Sequence, residues 1–146
     1  MADVHTKAAR SFNMSQIKGK DTKPELLVRK FLHSHGMRYR LHAKQLPGTP
    51  DIVLAKYNTV VFVDGCFWHA HEGCKKFIIP KSRTDYWQKR IGRNVANDHI
   101  YRTHLAARGW RVLTVWECDL RPDKRSATLE RLAEDIAGPP ESEVFI

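Results

Sequence analysis

Apolar and polar positions carry no regular period over the first 20 residues, MADVHTKAARSFNMSQIKGK, which read as a basic arm rather than a packed element. Order begins where Leu27, Val28, Phe31 and Leu32 recur at helical spacing. Asp21 and Thr22 precede them as capping residues, Pro24 suits the first turn and Gly36 ends the segment, so a helix is predicted there. The alternation Met37-Arg38-Tyr39-Arg40-Leu41 predicts a half-buried strand, and Pro47-Gly48-Thr49-Pro50 a turn. The short runs from Asp51 to Leu54 and from Thr59 to Val63, parted by Lys56-Tyr57-Asn58, predict a hairpin. No period marks the stretch from Asp64 to Lys81. Helical spacing returns from Thr84, read as a cap, to Arg108, with Gly109 as its stop and Gly92 as a point where it bends or divides. Arg111 to Trp116 predicts a strand, and Leu129, Leu132, Ala133 and Ile136 a closing helix.

The order α-β-β-β-α-β-α predicts an α/β domain, a mixed central sheet flanked by helices, over residues 21–138. Residues 1–20 would be its arm and 139–146 a tail. At 146 residues the chain has room for one core and not for a second full domain. No run approaches the roughly 20 apolar residues that cross a bilayer, and the start lacks a secretory signal, so no membrane partner and a cytoplasmic location are expected.

Charge alters the picture most. Lys and Arg number 25 against 16 Asp and Glu, a net charge of +9, which points to a polyanionic partner. The segment KKFIIPKSRTDYWQKRIGR, residues 75–93, interleaves that charge with aromatic rings, the composition of a nucleic-acid surface.

Cys66, His71, Cys74 and Cys118 carry the donors of a closed tetrahedral zinc site; the plain alternative is three buried thiols and a surface histidine. Four protein ligands would make the ion structural. Asp51 opens a strand of the hairpin, where a carboxylate can hold Mg²⁺ against a phosphodiester or simply cap the turn after Pro50. His69 has the ordinary pKa for a general base at neutral pH, or serves as a spare metal ligand. Asp98 falls within about 20° of Ile91 and Leu105 on a helix, among apolar residues. A carboxylate there wants a partner, either an arginine or an imidazole that it orients.

The segments PGTPDIV, VVFVDGCFWHAHEGC, TDYWQKRIGRNVANDHI and GWRVLTVWEC, with the start of the chain, resemble the very-short-patch-repair (Vsr) DNA mismatch endonucleases up to about Arg121. The resemblance implies a restriction-endonuclease-like fold and a monomeric bacterial enzyme, nucleoid-associated when bound to DNA. It also implies nicking of one strand of double-stranded DNA beside a T:G mismatch left by deamination of 5-methylcytosine, with catalytic Mg²⁺ and structural Zn²⁺. It makes Asp51 the metal carboxylate, the backbone carbonyl of Val63 a second ligand, Glu25 an acid near the metal water, and His69 the base oriented by Asp98. Cys66, His71, Cys74 and Cys118 match the family's zinc set. Phe67, Trp68 and Trp87 match an aromatic wedge at the mismatch, with Met14 as its counterpart on the arm.

Two features depart from relatives. The lysine that PD-(D/E)-x-K nucleases carry after the second acid is missing from Phe62-Val63-Asp64, and Asp64 replaces a histidine of the best-known family member. The alternatives to a mismatch nickase are a sequence-specific restriction-type nuclease and a non-catalytic zinc DNA-binding module.

Overall fold

The computed structural model describes residues 22–71, 73–75 and 78–138. Its first helix, α1 (Lys23–Ser34), starts where Thr22 accepts a hydrogen bond from the Glu25 N–H and Pro24 occupies the first turn. Val28 and Leu32 bury one face of it, and Gly36, at φ +73°, carries the chain away.

Strand β1 is only Arg40–Leu41, shorter than the alternation from Met37 predicts. Its partner β2 (Ile52–Leu54) offers three residues, bounded by Pro50, which has no N–H, and by a 3₁₀ turn at Ala55–Tyr57. Met37 is nonetheless buried, while Leu41 at the strand's end is 39% exposed. The predicted hairpin forms: β2 runs antiparallel to β3 (Thr59–Asp64) through Asn58, at φ +50°. Asparagine tolerates that left-handed conformation better than most residues.

Helix α2 (Thr84–Ala107) passes through Gly92 without interruption. Thr84 is its first helical residue and not its cap. The Thr84 hydroxyl donates backwards to the carbonyls of Pro80 and Lys81, and Arg83 holds the cap position at φ +57°. The helix crosses over to β4 (Arg111–Trp116), which pairs parallel with β3, Asp64 lying opposite Trp116. A 3₁₀ turn (Glu117–Leu120) and α3 (Arg125–Ala137) follow. Arg111 caps α3 from outside, donating to the carbonyls of Asp135 and Gly138.

Among the described residues the sheet has the order β1-β2-β3-β4, three strand pairings of which two are antiparallel and one parallel. One face packs Ile52, Leu54, Val61 and Val115 against Val28 and Leu32 of α1 and Leu129, Leu132 and Ile136 of α3. The other packs Val53, Val60 and Phe62 against Leu105 of α2. Helices on both faces explain why β2 and β3 read as continuous apolar runs. No helix among the described residues is long and apolar enough to cross a membrane.

Candidate active site

Pro50 fixes the chain entering β2, and Asp51 sits at its mouth with one carboxylate oxygen, Oδ2, accepting the Val63 N–H at 2.8 Å. That bond ties the Asp51 side chain to the neighbouring strand. Ligand atoms of Glu25, from the first turn of α1, and of His42, just after β1, lie within 4.8 Å of each other and of Asp51. Burial pushes the Asp51 carboxyl up to about 6; the Val63 N–H opposes the shift and the Glu25 carboxylate adds to it. Two carboxylates with an imidazole form an oxygen-rich donor set suited to a hard or borderline divalent ion.

A cavity of about 470 Å³, lined by Asp51, Val63, Asp64, His69 and Asp98 among others, is shared with a second cluster. His69 Nδ1 lies 2.5 Å from Asp98 Oδ2, and His69 Nε2 lies 3.8 Å from Asp64 Oδ1. Asp98 sits between the buried residues Ile91 and Leu105 in α2, as its place on the helical stripe predicts, and its partner is the imidazole. The nearby arginine, Arg102, goes instead to Asp64 at 2.7 Å and to the Thr114 hydroxyl at 2.9 Å. Burial alone would lower the His69 pKa, but the Asp98 hydrogen bond and the Asp64 and Asp98 charges outweigh it and raise it above the ordinary value. Burial raises the Asp64 pKa, against the pull of His69 and Arg102.

Beyond the parallel ends of β3 and β4, ligand atoms of Cys66, His71, Cys74 and Cys118 converge to within 4.8 Å of one another. His69 is outside this group, so its reading as a competing ligand is not favoured by the geometry. The His71 ring stacks on Trp116, with centroids 4.0 Å apart and planes 5° apart, and Glu117 accepts the Cys66 N–H at 3.0 Å. Burial pushes the Cys66 thiol up to about 12 and raises that of Cys118. Three sulfurs and an imidazole suit a tetrahedral zinc ion, which would take the thiols as thiolates.

Phe67, Trp68 and Trp87 form a half-buried aromatic cluster with centroids 5.2 to 5.7 Å apart. It lies beside a second cavity, also lined by His69 and Arg90. The Arg90 guanidinium lies 5.4 Å from the Trp68 ring centroid, and Asn94 donates to the Trp68 carbonyl at 3.2 Å. Met14 lies outside the described residues. His42 and Arg102 were not singled out by the sequence pattern. For Arg102 a signal existed, since it stands four residues after Asp98 on one helix face; for His42 no local spacing marks it.

The family profile described as DNA mismatch endonuclease Vsr matches residues 2–76. Type II nicking enzyme V.NmeAIP of Neisseria meningitidis serogroup A is 51% identical over 121 residues, covering 83% of this chain and 86% of its own. Type II nicking enzyme V.XorIIP of Xanthomonas oryzae is 51% identical over 120 residues, covering 82% and 88%. DNA mismatch endonuclease Vsr of Escherichia coli is 45% identical over 141 residues, covering 94% of this chain and 90% of its own.

Proposed function

The chain belongs to the Vsr family of DNA mismatch endonucleases, and from that premise we propose that it nicks one strand of duplex DNA beside a T:G mismatch left by deamination of 5-methylcytosine. Family membership makes it a DNA endonuclease, a hydrolase whose partner is DNA. The observation that carries the finer reading is one cavity lined both by the Asp51 carboxylate and by His69, backed by Asp98. Its mixed sheet is read as restriction-endonuclease-like, acting as a cytoplasmic monomer, with residues 1–20 as a DNA-binding arm and 139–146 as a tail.

Asp51 and the backbone carbonyl of Val63 would hold Mg²⁺, with Glu25 close by. A bound divalent ion supplies Lewis-acid polarisation of the scissile phosphate and stabilises the leaving oxygen. His69 removes the proton from the attacking water through Nε2, because Nδ1 is committed to Asp98. Asp98 fixes that tautomer and stabilises the imidazolium that forms. No lysine follows Asp64 in the position the related nucleases use, which leaves proton removal to the imidazole.

Cys66, His71, Cys74 and Cys118 would bind structural Zn²⁺ and hold the loop after β3, from which Phe67, Trp68 and His69 project. Phe67, Trp68 and Trp87, with Met14 from the arm, would wedge into the duplex. A mismatched pair costs less to unstack than a matched one, so insertion itself favours the mismatch. The net charge of +9 supplies attraction to phosphates without regard to sequence.

The test is cleavage of T:G and matched duplexes with Mg²⁺ and with EDTA. A single-strand nick confined to the mismatched duplex and dependent on Mg²⁺ is expected. Double-strand breaks at a matched site would support the restriction reading, and binding without any cleavage the zinc-module reading.

A further inference from the structure

His42 has no part in the reaction set out above, yet it joins two of the elements that build the metal wall. Its peptide N–H donates to the Asp51 carbonyl at 3.1 Å, while its side chain reaches α1, where Nε2 lies 2.5 Å from Glu25 Oε1. The same Glu25 oxygen accepts from Arg29 at 2.7 Å. Glu25 is 2% exposed, and a carboxylate so buried takes the orientation its donors dictate. The His42 backbone is left-handed, at φ +46°, an uncommon conformation for a residue with a Cβ and one found where surrounding structure enforces it.

We infer that His42 is a positioning residue for the metal centre: by gripping the Glu25 side chain while bonded to the Asp51 backbone, it sets the two carboxylates at the separation one divalent ion requires. The inference rests on the metal reading proposed above, in which Asp51 holds the ion and Glu25 stands close to it, and takes Glu25 one step further, as a second carboxylate set toward that ion. His42 acts through Glu25 and not on the phosphodiester. A ring nitrogen of His42 lies within 4.8 Å of an oxygen of each carboxylate, so direct ligation is the rival role. The short bond to Glu25 favours the outer role, which is the usual one for a group that orients a ligand.

Two substitutions one methylene apart separate these roles. Asparagine is at ease in the left-handed region but too short to reach Glu25, so His42→Asn removes the grip without adding backbone strain. In His42→Gln the amide nitrogen extends to about the place of Nε2 and restores a donor. Mg²⁺ and Mn²⁺ binding to the full-length chain, measured by calorimetry, and nicking as a function of Mg²⁺ are compared for wild type and both variants. Melting in EDTA reports on folding.

His42→Asn is expected to weaken metal binding, and to raise the half-saturating Mg²⁺, roughly 10- to 100-fold. The maximal rate should change far less than the half-saturating concentration, and His42→Gln should recover most of the affinity. Wild-type metal affinity in His42→Asn would overturn the inference, as would failure of the glutamine to rescue. Nitrogen hyperfine coupling to bound Mn²⁺ in wild type that is lost in His42→Gln would make His42 a ligand and overturn it as well. A wild-type protein that binds neither ion would overturn the metal reading itself, an outcome visible before any variant is made.

Discussion

His69 and Asp98, 29 residues apart in sequence, meet through Nδ1 and Oδ2 at 2.5 Å, so the imidazole enters the cavity with its tautomer already chosen. If the pair works as one unit, its losses will not multiply. His69→Ala is expected to slow nicking about 10²- to 10⁴-fold. Asp98→Asn should also be slower than wild type, because an amide cannot stabilise the imidazolium. The double variant should be scarcely slower than His69→Ala alone. Single-turnover rates on a T:G duplex check this; multiplicative losses with unchanged zinc content would return Asp98 to a structural role.

The Asp51 carboxyl, pushed up to about 6 by burial, imposes a pH dependence on metal binding. Below that value the folded protein holds a proton that the ion must displace, so apparent Mg²⁺ affinity should fall up to about tenfold per pH unit as the medium is acidified below 6 and level off above it. The same shift acts on stability. An unfolded carboxyl releases its proton near 3.8, so between 3.8 and about 6 the metal-free fold loses stability as pH rises. Asp51→Asn should therefore melt higher than wild type at neutral pH in EDTA, while nicking is abolished and binding to mismatched duplex persists. A lower melting temperature would show that the Asp51 charge helps to hold the metal-free fold.

Zinc content and stability should fall together in Cys118→Ser, because Cys118 comes from beyond β4 and closes the cluster begun by Cys66 after β3. Elemental analysis beside a thermal melt measures both. Wild-type protein purified with no zinc and full stability would remove the structural-zinc reading.

Trp68→Ala should reduce the preference for mismatched over matched duplex, since stacking of a base on an aromatic ring contributes roughly 1 to 3 kcal/mol. Competition binding at fixed salt measures the ratio. An unchanged ratio would make the Phe67, Trp68 and Trp87 cluster ordinary packing.

Much of this arrangement is legible in the amino-acid sequence, because it is written in local period and scarce residue types. The order of helices and strands follows from spacings within single segments, and β4 takes the bounds Arg111 to Trp116 that its apolar run predicts. Asp98 shows itself by standing on the stripe of Ile91 and Leu105. Where long-range pairing decides, local reading fails: Met37 to Leu41 alternates like a strand, but its neighbour has only three residues to offer it. Thr84 has a capping side chain, but its hydroxyl is taken by the preceding turn. His42 meets Glu25 across 17 residues and a two-residue strand, a relation that no spacing encodes.

Gly48, which also lines the cavity, meets α2 there at very close range. A Cβ built there would lie 2.8 Å from the Cβ of Tyr101, and its φ of +74° already favours glycine. Tyr101 stands three residues beyond Asp98 on α2, and Gly48 three residues before Asp51. How closely the turn before Asp51 approaches the helix that carries Asp98 is thus gauged by a missing methyl group. In Gly48→Ala every proposed reacting side chain survives, yet the turn and α2 must part by a few tenths of an ångström or more, and chemistry that needs Asp51 and the His69–Asp98 pair at once would register that displacement as a loss of rate.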